Sequence, residues 1–292
     1  MHETDADDGA ADAGMDDSAA IITNEEWAHW LAADLRACAA YAAHAELIEK
    51  CCAIAAKWRS RFWERKALWC RIRRGRRLAK ELAEVLPVIT RVLSAIEEAG
   101  DDSPPLVIVD LCSGFGYMGM FLSELLPANK VERIVLVDKM WARHNVARKP
   151  HHISPEHIED PGWPIRLTTS RADLKVPSDR RSLARSFFSH GAPAMLLGVH
   201  LCGTLSLRCI DLYNDSPAIG FLALKPCCAT RSLRTHRIPS ISTRRVHMRN
   251  DIHPECTHSP HVDRAPDGRP AGALLCQTRR CLRSSHWPLL PS

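Results

Sequence analysis

From residue 24 to residue 100 the apolar positions recur at helical spacing, and beyond residue 104 they gather into short unbroken runs. In 24–50, Asn24 offers an N-cap, Glu25 and Glu26 fill the first turn, and Trp27, Trp30, Leu31, Leu35 and Leu47 follow. In 57–80, Trp58, Phe62, Trp69 and Ile72 fall on one stripe of an amphipathic helix. A third helical stretch, 81–99, stops at Gly100, and Pro87 inside it is expected to kink or divide it. Past 104 the runs are "LVIVDL" (106–111), "ERIVLVD" (132–138), "WPIRL" (163–167), "AMLLGVH" (194–200) and "IGFLALK" (219–225). They read as buried strands, with helices at 117–126, 179–190 and 203–214 between them. This alternation predicts an α/β parallel sheet with crossover helices. The stretch "KMWARHNVARKPHHISPEHIED" holds too much Pro and His for a helix and predicts an irregular insertion.

The ends of the chain lack any such period. The first twenty residues carry seven acids and no Lys or Arg, which predicts a disordered acidic tail over 1–22. Residues 229–292 hold eleven Arg, six His and seven Pro, and predict a disordered basic tail. Between the tails lie a helical region, 23–100, and a sheet domain, 104–228. No strand is legible after the fifth, so the sheet reads as truncated there, with an exposed apolar edge. His253, Cys256, His258 and His261 are metal-ligand types, but no second pair supports a zinc module. With no secretory pattern and no apolar run long enough to span a membrane, the twelve cysteines read as reduced thiols. A cytoplasmic protein, or a nuclear one, is expected.

The net charge of +5 is modest, but its distribution changes the picture. Residues 57–80 hold eleven Lys or Arg against one acid, Glu64. The basic face is either a solvated helix surface or an RNA-binding surface, because clustered cations contact phosphates and aromatics stack bases. On the second reading RNA meets Lys57, Arg59, Arg61, Arg65, Lys66, Arg71, Arg73, Arg74, Arg76 and Arg77.

The richest chemistry follows the first strand, in "VIVDLCSGFGYMG". Gly114, Gly116 and Gly119 satisfy G-x-G-x-x-G between a strand and a helix, and Asp138 ends the next strand 19 residues beyond Gly119. Glycine there lets a ligand approach the backbone, and Asp138 suits a pair of ribose hydroxyls. Both a nicotinamide dinucleotide and S-adenosyl-L-methionine answer to that description. Asp110, with three residues between it and Gly114, puts a carboxylate beside the loop, which suits a cationic amino acid group and not a pyrophosphate.

"VDLCSGFGYMG", "IVLVDK", "GVHLCGTLS" and "ALKPCC", in that order, resemble the class I S-adenosylmethionine-dependent methyltransferases with their Rossmann-like sheet. Within that class the chain is similar to a eukaryotic methyltransferase-domain family with an H-x-C-G element, which includes transfer-RNA 2′-O-methyltransferases and methyltransferase-like proteins. The resemblance implies that Asp110, Gly114 and Gly116 surround the methionine part of the cofactor, with Cys112 and Tyr117 also among the cofactor-binding residues. It puts Asp138 and Lys139 at the ribose, and Asp173 and Leu174 at the adenine. Asp173 reads equally as a helix cap. His200 closes the fourth strand as the candidate catalytic base, or else as a structural histidine. Cys202 reads as packing, and Cys227 and Cys228 as a weaker nucleophile candidate. The function expected is methyl transfer, with RNA favoured as acceptor. An inactive binding module and an enzyme with a protein or small-molecule acceptor are the alternatives.

Overall fold

The computed structural model describes residues 23–38, 40–73, 77–100, 103–142, 146–147, 149–189, 191–201, 203–226 and 275–278. The two expected tails apart from 275–278, and with them His253, Cys256, His258 and His261, lie outside these, as do Arg74, Arg76, Cys202, Cys227 and Cys228. The chain forms two compact units, residues 1–75 and 76–292.

The first unit holds α1 (Asn24–Arg36), α2 (Ala40–Phe62) and α3 (Lys66–Arg73). Thr23, not Asn24, is the N-cap of α1: its side chain accepts the Glu26 N–H while the Glu26 carboxylate accepts the Thr23 N–H, a capping box. Asn24 is turned to α2, where its Oδ1 accepts Arg59 Nη1 at 2.8 Å. The predicted aromatic stripe is buried in full, with Trp58, Phe62, Trp69 and Ile72 all 4% exposed or less. It is shared between α2 and α3 across a turn, because no continuous helix spans 57–80. Each such side chain contributes on the order of 2–3 kcal/mol.

The second unit begins with α4 (Arg77–Glu98), which the sequence groups with the N-terminal helices. Its apolar face packs on α5, β4 and β5. Pro87 does not divide it, since Leu82, Val85, Leu86, Val88, Ile89 and Val92 around the missing hydrogen bond are all buried. Then follow β1 (Leu106–Leu111), α5 (Tyr117–Leu125), β2 (Val131–Val137), β3 (Leu167–Ser170), α6 (Pro177–Phe187), β4 (Ala194–Val199), α7 (Thr204–Asp215), β5 (Ile219–Lys225) and β6 (Leu275–Thr278). Their order in the sheet is β3-β2-β1-β4-β5-β6. β1 to β5 are parallel, with helices on both faces. Val107, Val109 and Leu111 face a core that includes Leu183, Leu212 and Tyr213. By the two-residue period Ile108 and Asp110 face the other way.

Two sequence expectations change. β3 starts at Leu167, after the apolar run thought to be the strand; Trp163 and Ile165 are buried loop residues, and Ile165 N–H donates to Ser123 Oγ at 3.1 Å. The sheet also does not end at β5. β6 pairs antiparallel with it from Phe221↔Thr278 to Leu224↔Leu275, partnering four residues of the edge. Four residues in a basic, proline-rich stretch are too short to show a strand period. Among the described residues no helix is long and apolar enough to cross a membrane.

Candidate active site

In a doubly wound sheet the ligand crevice lies outside the carboxyl ends of the strands, where the strand order reverses. Here that point is between β1 and β4. The described non-glycine residues with left-handed φ both stand there: Cys112 (φ 55) just past β1 and His200 (φ 62) just past β4. Each such residue costs on the order of 1–2 kcal/mol, and retained strain marks sites where geometry matters.

On the β1 side, Asp110 is 2% exposed and has no hydrogen-bond partner among the described residues. Burial, and then the neighbouring Asp138, push its carboxyl well above the usual carboxylate range. The loop that follows is tied to β2. Ser113 N–H donates to Val137 O at 3.0 Å, and Gly114 N–H donates to Asp138 Oδ2 at 3.0 Å. Asp138 Oδ1 accepts the Met140 N–H at 2.8 Å. Each carboxylate oxygen keeps a lone pair for an outside donor.

The three glycines divide by task. Gly114 (φ +55) has open space where a Cβ would stand, with no atom within 4 Å. At Gly116 (φ +93) a Cβ would lie 2.7 Å from Leu136 Cδ1, and at Gly119 it would also run into Leu136. So Gly114 leaves room for a ligand, while Gly116 and Gly119 let α5 pack on β2; ligand approach does not explain all three. Tyr117, first in α5, is buried and lies against Phe115.

The insertion between β2 and β3 grips the same loop from outside. His157 is buried, stacks on Phe115 at 3.9 Å, and donates from Nε2 to Phe115 O at 2.8 Å. Trp141 Nε1 donates to Ser113 Oγ at 3.3 Å. Further along, a cavity of about 300 Å³ is lined by Lys139, Met140, His151, His152, Arg171, Ala172, Asp173 and Asp179. Asp173 lines this cavity but does not cap α6, whose N-cap is Val176. Its Oδ1 instead accepts the Lys175 N–H at 2.9 Å in the loop before the helix. Leu174 turns into the core instead, 2% exposed. Burial, then Asp138, Asp110 and Asp173, push the Cys112 thiol up to about 12, so it stays a neutral thiol.

On the β4 side, His200 Nε2 lies 2.6 Å from Glu84 Oε2 of α4. The His200 backbone N–H donates to Lys225 O at 3.0 Å, and Lys225 Nζ donates to Glu84 O at 2.7 Å. The hydrogen bond to Glu84 raises the imidazole above its ordinary pKa, against the effect of burial. Burial pushes the Glu84 carboxyl up, but the bond to His200 and the charges of His200, Lys80 and Lys225 together hold it below the ordinary value.

A family model described as a methyltransferase domain matches residues 79–235, from α4 through β5 and more than half of the chain. The chain belongs to that methyltransferase-domain family. Two solved structures resemble it more loosely. One is the apo TDP-rhamnose 3′-O-methyltransferase of calicheamicin biosynthesis, at 12% identity and a TM-score of 0.33 over 47% of this chain and 60% of that one. The other is the selenomethionine-substituted CurJ carbon methyltransferase, at 15% identity and a TM-score of 0.38 over 72% of this chain and 53% of that one. The chain therefore spans less than two thirds of either. No curated protein matches the sequence.

In this methyltransferase domain, sequence patterns reach the residues on the glycine loop and at the strand ends, and miss their supports. Glu84 sits in a helix rich in charged residues, where nothing in its spacing sets it apart. Lys225 reads as the last residue of a strand. His157 and Trp141 fall in the insertion, where no period exists to say which way a side chain turns.

Proposed function

We propose that the protein is an S-adenosyl-L-methionine-dependent methyltransferase. The observation that carries this is Asp110: a buried carboxyl without a hydrogen-bond partner among the described residues, beside a loop whose Gly114 opens to space. An unpaired buried acid is costly, and a cation supplied by a ligand removes the cost. The donor's amino acid part brings that cation, and Asp138 keeps acceptor capacity for its ribose. When bound, the donor supplies a methyl group on a sulfonium. Lys139 and Asp173, on the wall of the neighbouring cavity, face the adenosine end. The kinship we favour within the class is the H-x-C-G family, because His200 opens that element at the crevice. The alternative of an inactive remnant drew on a bare β5 edge, and β6 partners part of that edge.

The acceptor we propose is RNA. In the helical unit, Lys57, Arg65 and Lys66 are exposed and Trp63 is 42% exposed. Arg59 is 7% exposed, bonds Asn24, and lies 4.5 Å over the Trp63 ring, so it orients that ring and is not a phosphate contact. A cation-flanked exposed indole suits a stacked base.

Calorimetry on the full chain tests the donor assignment: S-adenosylmethionine should bind and NAD should not, and the reverse result overturns it. Transfer-RNA binding should fall with salt and with joint neutralisation of Lys57, Arg65 and Lys66. An affinity indifferent to both removes RNA from the proposal.

A further inference from the structure

Glu84, His200 and Lys225 come from α4, the end of β4 and the end of β5, and they close a ring of three hydrogen bonds. We propose that this ring is a proton-accepting unit, with His200 as the catalytic residue and Glu84 and Lys225 as positioning residues. It serves acceptors that must lose a proton for the methyl carbon to bond, and among these the assignment is a hydroxyl. The proposal rests on the methyltransferase reading above.

The ring fixes which nitrogen does the work. A carboxylate only accepts, so His200 Nε2 carries the hydrogen and donates it to Glu84 Oε2. That leaves Nδ1 as the basic atom, with no hydrogen bond to any described residue, on a side chain 41% exposed at the crevice. The left-handed backbone of His200 is held by its N–H bond to Lys225 O. Lys225 Nζ, in turn, anchors the Glu84 main chain.

The charged groups around the imidazole are Glu84 and Glu81 from α4 and Lys225 from β5. The two carboxylates strengthen Nδ1 as a base, and Lys225 opposes them. Lys80 adds a further positive charge near Glu84.

A base matters for only some acceptors. A carboxylate or a neutral amine already presents a lone pair, and a thiol ionises near neutral pH. A hydroxyl does not. Its proton passes to His200 Nδ1 as its oxygen bonds the methyl carbon; the sulfur–methyl bond breaks, and its electron pair stays on sulfur as a neutral thioether. Glu84 balances the resulting imidazolium, which returns the proton to water.

A competing use of the same atoms is a divalent cation site, since ligand atoms of Glu81, Glu84 and His200 lie within 4.8 Å of one another. The direct Glu84–His200 bond and the nearby Lys80 and Lys225 weigh against it.

The test uses the full chain. NMR titration of labelled histidine, with the His200 signal assigned from His200→Gln, is expected to show its pKa fall in Glu84→Gln. An unmoved pKa overturns the proposal, whether or not a donor binds. With donor and an RNA pool, His200→Gln should lose about 100-fold or more of transfer while donor affinity by calorimetry changes by less than about twofold. Glu84→Gln should move the acidic limb of the rate profile to lower pH, and Lys225→Met should lower transfer with unchanged donor affinity. Label found on carbon, ring or amide nitrogen, carboxylates, amines or thiols overturns the hydroxyl assignment. Activity lost to a chelator, restored by a divalent ion and abolished by Glu81→Gln overturns the base in favour of a metal. Failure of the wild-type chain to bind the donor refutes the methyltransferase reading itself, and the titration still decides the ring.

Discussion

Two neighbouring strand ends carry the candidate chemistry, and they treat charge in opposite ways. At the end of β1, Asp110 is buried and lacks a hydrogen-bond partner among the described residues. At the end of β4, His200 is exposed and holds its own counter-charge in Glu84. Both groups have raised pKa values, but for different reasons: burial first for Asp110, a hydrogen bond first for His200. A carboxyl that lacks a cation is built to receive one. An imidazole already beside a carboxylate is built to gain and lose a proton. The β1 end therefore reads as a binding device and the β4 end as a reactive one.

The sharpest way to break this contrast is at Asp110. Asp110→Ala should weaken donor binding by about 100-fold or more, as loss of one partner of a buried charge pair does. Asp110→Asn should bind about as poorly yet stabilise the ligand-free protein by about 1 kcal/mol, because it removes an unsupported acid. The sign follows from linkage: a folded pKa above the unfolded one means stability is lost as pH rises through that interval. The Asn variant's advantage should then grow as pH climbs out of the acid range. Calorimetry and thermal melts read both, and a destabilised Asn variant would mean that Asp110 has a structural partner. Asp138→Ala should cost about 10-fold or more in donor affinity, since it also releases the Gly114 and Met140 N–H groups.

Within the β1 loop the glycines sharpen the distinction between binding and packing. Gly116→Ala combines a left-handed backbone with a collision at Leu136 and should lose about 2–3 kcal/mol of stability. Gly114→Ala meets no atom, so it should lose only about 1 kcal/mol, while weakening donor binding more than Gly116→Ala does at matched stability. Equal stability losses in denaturant melts would erase the division of labour.

How far these features were legible in the sequence follows from how local their causes are. β1 and β5 coincide with their apolar runs because buried parallel strands are apolar on both faces. Asp110, Gly114 and Asp138 stood out because strand, turn and acid lie within thirty residues of one another. The Glu84–His200 contact joins residues over a hundred positions apart, so no spacing rule reaches it. β3 was misplaced because Trp163 and Ile165 are buried as loop residues, while the strand itself, Leu-Thr-Thr-Ser, is mostly polar and only partly buried. β6 was missed because a four-residue antiparallel strand takes its order from its partner, β5.

The smallest expected effect probes the β4 end alone, through the pH dependence of the Glu84–His200 coupling. The folded pKa of His200 is raised, so its contribution to stability is present below the unfolded histidine value and is lost as pH rises through the folded one. For Glu84 the folded value is lowered, so its contribution is present above the unfolded carboxylate value and is lost as pH falls through the folded one. The two together leave a window between the ordinary carboxylate value and the raised value of His200. A double-mutant cycle with Glu84→Gln and His200→Gln isolates the pair. With both side chains substantially solvated, a coupling on the order of 0.5 kcal/mol is expected while the imidazole is charged. At alkaline pH it weakens to that of a neutral Nε2–H donating to Glu84. Asp110 behaves otherwise, since its replacement by Asn gains most at alkaline pH, where the charged dyad no longer contributes. A coupling of the same size at alkaline pH would mean that Glu84 holds the charged imidazole no better than the neutral one. Glu84 would then not strengthen Nδ1 as a base, and the contrast with β1 would lose its reactive half.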